Sequence, residues 1–279
     1  MQPLPQPVSS RRLRWFLALP KFGVVLLLAA VVALLWLLHQ NELEEERASL
    51  IKDVLWLEQN LRFHLGNNEE QLQQLAADLG NHADRKQLFR VRANHLLKNN
   101  PDISQIVWFD SRRQLIDALP AALPADSELE AFGPPVTQKA FELASRLSKR
   151  VYSEPFFLSG NVGHFALAVP VYNEREQAGM LVVNYSIEGL LNNLVPWWFA
   201  EKYQVRILDG NGNALAGKSK IGEVTTPINY ALPLERPGFG MVLRVDAYPD
   251  RGDFAQRVLI GLVIALVAAV LASLWGMRK

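Results

Sequence analysis

Two uncharged apolar runs, 22–38 (FGVVLLLAAVVALLWLL) and 258–275 (VLIGLVIALVAAVLASLW), bracket nearly all of this 279-residue chain. Each is close to the roughly 18 residues at which a stretch reads as a membrane helix. The segment between them, 39–257, is polar and mixed in charge. At roughly 200 residues it is long enough to bury an ordinary hydrophobic core. The expected arrangement is a membrane-anchored domain with both chain ends on the same side of the bilayer.

Charge sets the orientation. Arg11, Arg12, Arg14 and Lys21 precede the first run with no acid among them, and Arg278 and Lys279 follow the second. Lys and Arg near span ends stay cytoplasmic, so both termini are expected inside. With those six bases set aside, the remainder of the 29 bases is outnumbered by the 28 acids, all of which lie in the middle segment. Trp15, Trp36 and Trp275 sit at or near the run ends, where amphipathic rings favour the headgroup layer. The first run exceeds the roughly 7–15 residues of a signal-peptide core, and its exit, LLHQNELEEE, has no small-x-small cleavage site. A retained anchor in a bacterial inner membrane, with the middle segment periplasmic, is the expectation.

The chain lacks cysteine, so no disulfide holds the middle segment. His39, His64, His82, His95 and His164 show no close ligand spacing, and no metal or cofactor is expected. A Gly-rich phosphate loop, a Ser/His/Asp nucleophile constellation and a basic nucleic-acid stripe are all missing from the sequence. Neither catalysis within this chain nor nucleic-acid binding is expected.

After the first run, Leu43, Leu50, Val54, Leu57, Leu61 and Leu65 recur mostly at three-, four- and seven-residue spacing among charged positions. This is one apolar stripe on a helix, with Gly66-Asn67-Asn68 as its expected stop. Helical patterns come next at 69–79 and 85–98, the second closed by Asn99-Asn100-Pro101. The period then changes to that of strands: 103–110 and 114–118 form a hairpin, 136–150 is a helix, and 164–172 and 180–186 are strands. A short helix at 187–194 precedes Pro196-Trp197-Trp198-Phe199, which reads as packing. A second unit begins with a hairpin at 203–209 and 214–217 and continues with strands at 228–234 and 241–248.

The two hairpins align without a gap. QIVWFD (105–110) with SRRQLI matches QVRILD (204–209) with GNGNAL. Asp110 and Asp209 coincide, at a place where a carboxylate accepts bonds from the amides of its own turn. Two versions of one supersecondary unit in tandem are expected.

In this order of elements, with the hairpins IVWFDSRRQLI and VRILDGNGNAL, the strand pair HFALAVPVY and MLVVNYS, and the segment VYSEPFF, the chain resembles the extracytoplasmic Cache sensor domains of bacterial sensor histidine kinases, relatives of the PAS fold. The resemblance implies an α+β fold. Two transmembrane helices would flank a periplasmic tandem PAS-like (double Cache) domain with a long N-terminal stalk helix. It implies a five-stranded antiparallel sheet in each lobe, a small-molecule pocket in the membrane-distal lobe closed by VYSEPFF, and a homodimer formed through the stalk. The organisation expected is a cytoplasmic tail at 1–21, spans at 22–38 and 258–276, a stalk and helical region at 39–100, and a distal lobe at 101–196. A smaller proximal lobe at 197–257 and a cytoplasmic end at 277–279 complete it. A kinase region beyond this chain would pass the signal to a response regulator. Two alternatives are an envelope protein that binds a protein or lipid partner, and the sensory region of a chemoreceptor or diguanylate cyclase.

Ligand candidates come from strand faces. On 164–172, Phe165, Leu167, Val169 and Val171 form an ordinary core face. The opposite face, His164, Ala166, Ala168, Pro170 and Tyr172, has small residues in its middle and leaves room for a ligand. With Trp108, Tyr152, His164, Tyr172 and Asn184 as the polar and aromatic lining, Arg146 or Arg150 would fork onto an anionic group. An organic acid or an amino acid is the expected ligand class.

Overall fold

A computed structural model of the chain describes residues 10–82, 84–120, 135–158, 162–174, 176–220, 222, 226 and 228–248, with five further positions within 261–268. Two units are separable, Met1–Ala48 with Pro249–Lys279, and Ser49–Tyr248. Among the described residues no helix is long and apolar enough to cross a membrane. The side chains of 22–38, apart from Ala33, and most of 258–276 lie outside the described residues, and with them both expected spans.

From Ser49 onward the chain is built on one helix. α1 (Ser10–Asn81) buries Leu50, Val54, Leu57, Leu61, Leu65, Leu72, Leu75 and Leu79. Their spacing keeps them on one stripe. The helix does not stop at Gly66-Asn67-Asn68, as their composition suggests. Asn68 is fully buried there, and its Nδ2 reaches the Asp102 carboxylate at 3.5 Å. Tertiary contacts override the local propensity, and the stripe resumes at Leu72 one turn later.

α2 (Arg85–Asn99) is capped by Asp84, whose carboxylate accepts from the Gln87 amide. It buries Phe89, Ala93 and Leu96. The first lobe holds β1 (Ile103–Asp110), β2 (Leu115–Leu119), α3 (Pro135–Leu147), β3 (Val151–Tyr152), β4 (Phe156–Leu158), β5 (Val162–Asn173) and β6 (Glu176–Ser186). Its antiparallel order is β2-β1-β6-β5, with β3 and β4 sharing the outer edge of β5. Five positions across the sheet are thus filled by six strands. α4 (Ile187–Leu194) and α5 (Trp197–Lys202) lead to the second lobe. That lobe contains β7 (Tyr203–Leu208), β8 (Ala214–Lys218), β9 (Asn229–Pro233) and β10 (Val242–Ala247), ordered β8-β7-β10-β9. Four strands among the described residues, rather than five, make up this smaller sheet.

The tandem repeat is visible atom by atom. Asp110 Oδ1 accepts from the amides of Arg112 and Gln114 at 2.8 and 2.7 Å. Asp209 Oδ1 accepts from Asn211 and Asn213 at 2.9 and 2.7 Å. In each hairpin the register shifts just before the Asp, with the extra residue, Ile116 or Leu215, on the second strand, and each turn places its third residue after the Asp, Arg113 or Gly212, at positive φ. The Asn213 side chain, with backbone N–H groups of the turn, holds the Asp209 carboxyl below its usual range.

Alternation divides the first sheet. Ile106, Trp108, Phe165, Leu167, Val169, Val171, Leu181, Val183 and Tyr185 share one core with the α1 stripe, α2 and the inner face of the second sheet. Val107, Phe109, Ala166, Ala168, Met180 and Val182 form a separate core beneath Ala140, Phe141 and Ala144 of α3.

The two lobes meet closely at Gly163 of β5. A Cβ there would lie 2.5 Å from the Leu215 carbonyl oxygen of β8. Gly163→Ala is expected to force these backbones apart and to destabilise Ser49–Tyr248 by about 1–3 kcal/mol in chemical unfolding. An unchanged midpoint would contradict the close approach.

Candidate ligand-binding site

The α3 face of the first sheet carries a polar end. Cross-strand register places Ala166, Asn184 and Gln105 in one row, and Phe156, His164 and Ser186 in the next. α3 covers Ala166 and Ala168, so the room expected above the alanines is partly filled by this helix. Beyond it, Asn184 Nδ2 donates to Gln105 Oε1 at 3.2 Å. The Asn184 Oδ1 is buried without a hydrogen-bond partner among the described residues. His164 stacks on Phe156 at 6.1 Å, and its Nδ1 lies 2.9 Å from the Val162 carbonyl. A carbonyl only accepts, so Nδ1 bears the proton and Nε2 is the acceptor of the neutral ring. Ser153 closes the edge: its amide donates to the Ala166 carbonyl at 2.7 Å, and its Oγ accepts from the Ala166 amide at 2.8 Å. This end offers amide donors, an imidazole and an unsatisfied carbonyl oxygen, groups that suit a small polar molecule.

The opposite face, under α1, holds a buried charged cluster. The Glu69 side chain is 3% exposed. It accepts from the Tyr152 hydroxyl at 2.7 Å and pairs with Arg150 Nε at 2.6 Å. One helical turn earlier, His64 Nε2 lies 3.0 Å from both oxygens of the fully buried Asp102, so this nitrogen is the proton donor. Asn193 of α4 donates to the same carboxylate at 3.3 Å. Among the described residues no three His, Asp or Glu side chains gather as a metal cage.

The structure distributes the expected lining residues. His164 and Asn184 come together on the α3 face. Trp108 instead faces the α1 side, 5.6 Å from Phe89, in the large core. Arg150 and Tyr152 also lie on that side, committed to Glu69. At Val171/Tyr172 the register with β6 shifts by one residue, Ala178. The Tyr172 hydroxyl is buried without a hydrogen-bond partner among the described residues, and its carbonyl packs on Gly80 of α1, where a Cβ would collide. Arg146 is exposed on the last turn of α3. Gln105, Glu69 and Asp102 carry no local sequence signal of a site. Glu69 in particular comes directly after two asparagines in a stretch that reads as a helix boundary.

No family model matches the chain. The C4-dicarboxylate transport sensor protein DctS of Rhodobacter capsulatus is 30% identical over 270 residues, which is 96% of this chain and 39% of that protein. The chain therefore spans about two-fifths of the length of this relative. Among solved structures, the ligand-binding domain of the Pseudomonas fluorescens chemoreceptor CtaA in complex with L-valine has a TM-score of 0.51 at 12% identity, over 74% of this chain and 99% of that domain. The CtaA domain in complex with L-isoleucine gives 0.50 at 12% identity, over 78% and 98%. The Campylobacter jejuni Tlp3 domain in complex with L-norvaline gives 0.50 at 10% identity, over 74% and 92%. The domain has the α+β, Cache-like fold of these ligand-binding domains. At these identities the likeness to the solved domains is one of architecture, and it agrees with the resemblance carried by the sequence.

Burial raises the pKa of the Tyr152 hydroxyl, with Tyr185 and Glu69 adding to the effect. Tyr185 is raised for the same first reason, then by Asp102 and Glu69. Both folded-state values stand above the unfolded value of about 10. The folded chain therefore keeps protons that the unfolded chain releases, and stability falls as pH rises past about 10. In a tyrosinate absorbance titration, at least two of the six tyrosines are expected to ionise only on unfolding. Six titrating near pH 10 in the folded protein would contradict this burial.

Proposed function

We propose that this chain is the periplasmic sensory part of a membrane-bound sensor histidine kinase, and that it binds a small carboxylate on the α3 face of the first sheet. The observation that carries the site is the unpartnered Asn184 carbonyl beside Gln105 and His164, an acceptor that suits an ammonium or hydroxyl donor carried by the same ligand as its carboxylate. Asn184 and Gln105 present amide N–H groups that suit ligand oxygens. The His164 Nε2 accepts from a ligand hydroxyl, or donates to a carboxylate once the ring is protonated. Because Arg150 is held by Glu69, Arg146 is the arginine left for an anionic group. A C4 dicarboxylate is the first compound to try, since the relative that matches most of this chain is described as a C4-dicarboxylate transport sensor. Amino acids come second, because domains of the same fold were solved with L-valine and L-isoleucine.

The same reading places both termini in the cytoplasm, with a kinase region and a response regulator beyond this chain. It also includes a homodimer. Ile51, Leu55 and Phe63 lie exposed on α1, Phe63 at 75%, and a second copy is the partner proposed for them. Signalling requires the ligand to bind one arrangement of the lobes better than another.

A thermal-shift screen of Ser49–Tyr248 against C4 dicarboxylates and aliphatic amino acids tests the binding reading. A compound at about 100 times its Kd adds about 2.7 kcal/mol, a rise of roughly 5–10 °C for a domain of this size. His164→Ala and Asn184→Ala are expected to abolish the rise while keeping the melting temperature of the unliganded domain. A rise retained in both variants moves the site elsewhere. No rise across the panel turns the reading toward a protein or lipid partner.

A further inference from the structure

One carboxylate on α1 is shared by both lobes. Glu69 Oε1 accepts from the Tyr152 hydroxyl at 2.7 Å. Its Oε2 pairs with Arg150 Nε at 2.6 Å and with an Arg236 guanidinium nitrogen at 3.5 Å. Tyr152 and Arg150 come from the β3 edge of the first sheet. Arg236 comes from the turn between β9 and β10 of the second. Gly66 gives Arg236 its passage, because a Cβ there would lie 3.2 Å from that guanidinium nitrogen. Arg62, two turns before Glu69, pairs with Glu235 at 3.1 Å and with Glu58 at 3.5 Å, which fixes the same turn a second time.

Removing one partner of a carboxylate this deeply buried is strongly destabilising, because it leaves buried charge uncompensated. Arg150 is 34% exposed and Arg236 43%, against 3% for Glu69. The two arginines meet solvent at their outer ends and share a single dry anion between them. Weakening either one raises the demand on the other, so the two lobes are energetically linked through an atom that belongs to neither.

The link also reaches the site. Tyr152 turns its side chain toward Glu69, while the next residue, Ser153, bonds the Ala166 amide and carbonyl in the row that contains Asn184. We infer that Glu69 is the positioning residue that couples the edge segment 151–158 to the turn 235–241. A displacement of that edge on ligand binding then shifts the second lobe and α1 together. This regulatory role rests on the sensing function proposed above, whereas the coupling itself requires no ligand.

Hydrogen exchange on the full chain in lipid nanodiscs, without any added ligand, tests it. Arg236→Gln lies in the second lobe, yet it is expected to raise amide exchange at 151–158 about three- to tenfold. In a Glu69→Gln background the same change is expected to add less than about twofold there. Should Glu69→Gln lose the native circular dichroism, Tyr152→Phe replaces it. That change removes only the hydroxyl in the first lobe and is expected to raise exchange at 235–241. Effects confined to the lobe that carries each substitution, or full additivity of Arg236→Gln with Glu69→Gln, would overturn the coupling. Such a result leaves the binding reading standing, and an empty ligand screen leaves the coupling standing, so the two failures are distinguishable.

Discussion

The buried leucines of α1, from Leu50 to Leu79, run along about 44 Å of helix at 1.5 Å per residue. Both sheets bury their inner faces in the core that contains this stripe, so neither lobe has an independent interior on that side. This constraint explains why the helix passes unbroken through Gly66-Asn67-Asn68. A break there would take Leu72, Leu75 and Leu79 off the stripe and would leave the Asp102 carboxylate without the Asn68 amide. It also explains why polar groups cluster on the same turns. Where two lobes and a helix meet, strand ends and turns bring backbone and side-chain charges into a dry space. They persist there only as paired sets.

The first sheet consequently has two different faces. Toward α1 it is packed with large residues, Phe165 stacked on Tyr185 at 4.9 Å among them, and it joins the Glu69 cluster. Toward α3 it is lined with alanines, and its polar end holds His164, Asn184 and Gln105. The α1 face shares its core with α1, α2 and the second sheet. The α3 face carries Ala166 and Ala168 beside larger residues such as Phe109 and Met180, and at its polar end the Asn184 carbonyl is buried without a partner among the described residues. Residues adjacent in sequence diverge: Tyr152 donates to Glu69 under α1, while Ser153 accepts from the Ala166 amide.

Much of this fold is legible in the sequence because it is local. The period-two runs, the two Asp-turn hairpins and the 187–194 helix are set by patterns a few residues long, and most of them lie within a residue or two of where those patterns put them, although the strand expected from 180 begins at Glu176. The face of 164–172 is legible as far as Val171. At Tyr172 the register with β6 shifts by one residue, Ala178, and the Tyr172 carbonyl packs on Gly80 of α1, a pairing that no local period records. Trp108 reads as a lining residue because an aromatic at a strand centre suits either face; the packing against Phe89 of α2 decides the matter. Glu69 and Asp102 are unreadable for a different reason. Their significance lies in partners far along the chain, such as Tyr152 and Arg236 for Glu69, and no local period records such pairings.

The central claim is that the two faces of the first sheet divide binding from coupling. A crystal structure of Ser49–Tyr248 grown with succinate, a C4 dicarboxylate, addresses it most directly. The account predicts succinate on the α3 face, within hydrogen-bond distance of His164 and Asn184, with Glu69 still holding Tyr152, Arg150 and Arg236 behind the sheet. Succinate seated among Arg150, Tyr152 and Arg236 in place of the Glu69 carboxylate would contradict it, because binding would then lie on the face assigned to coupling.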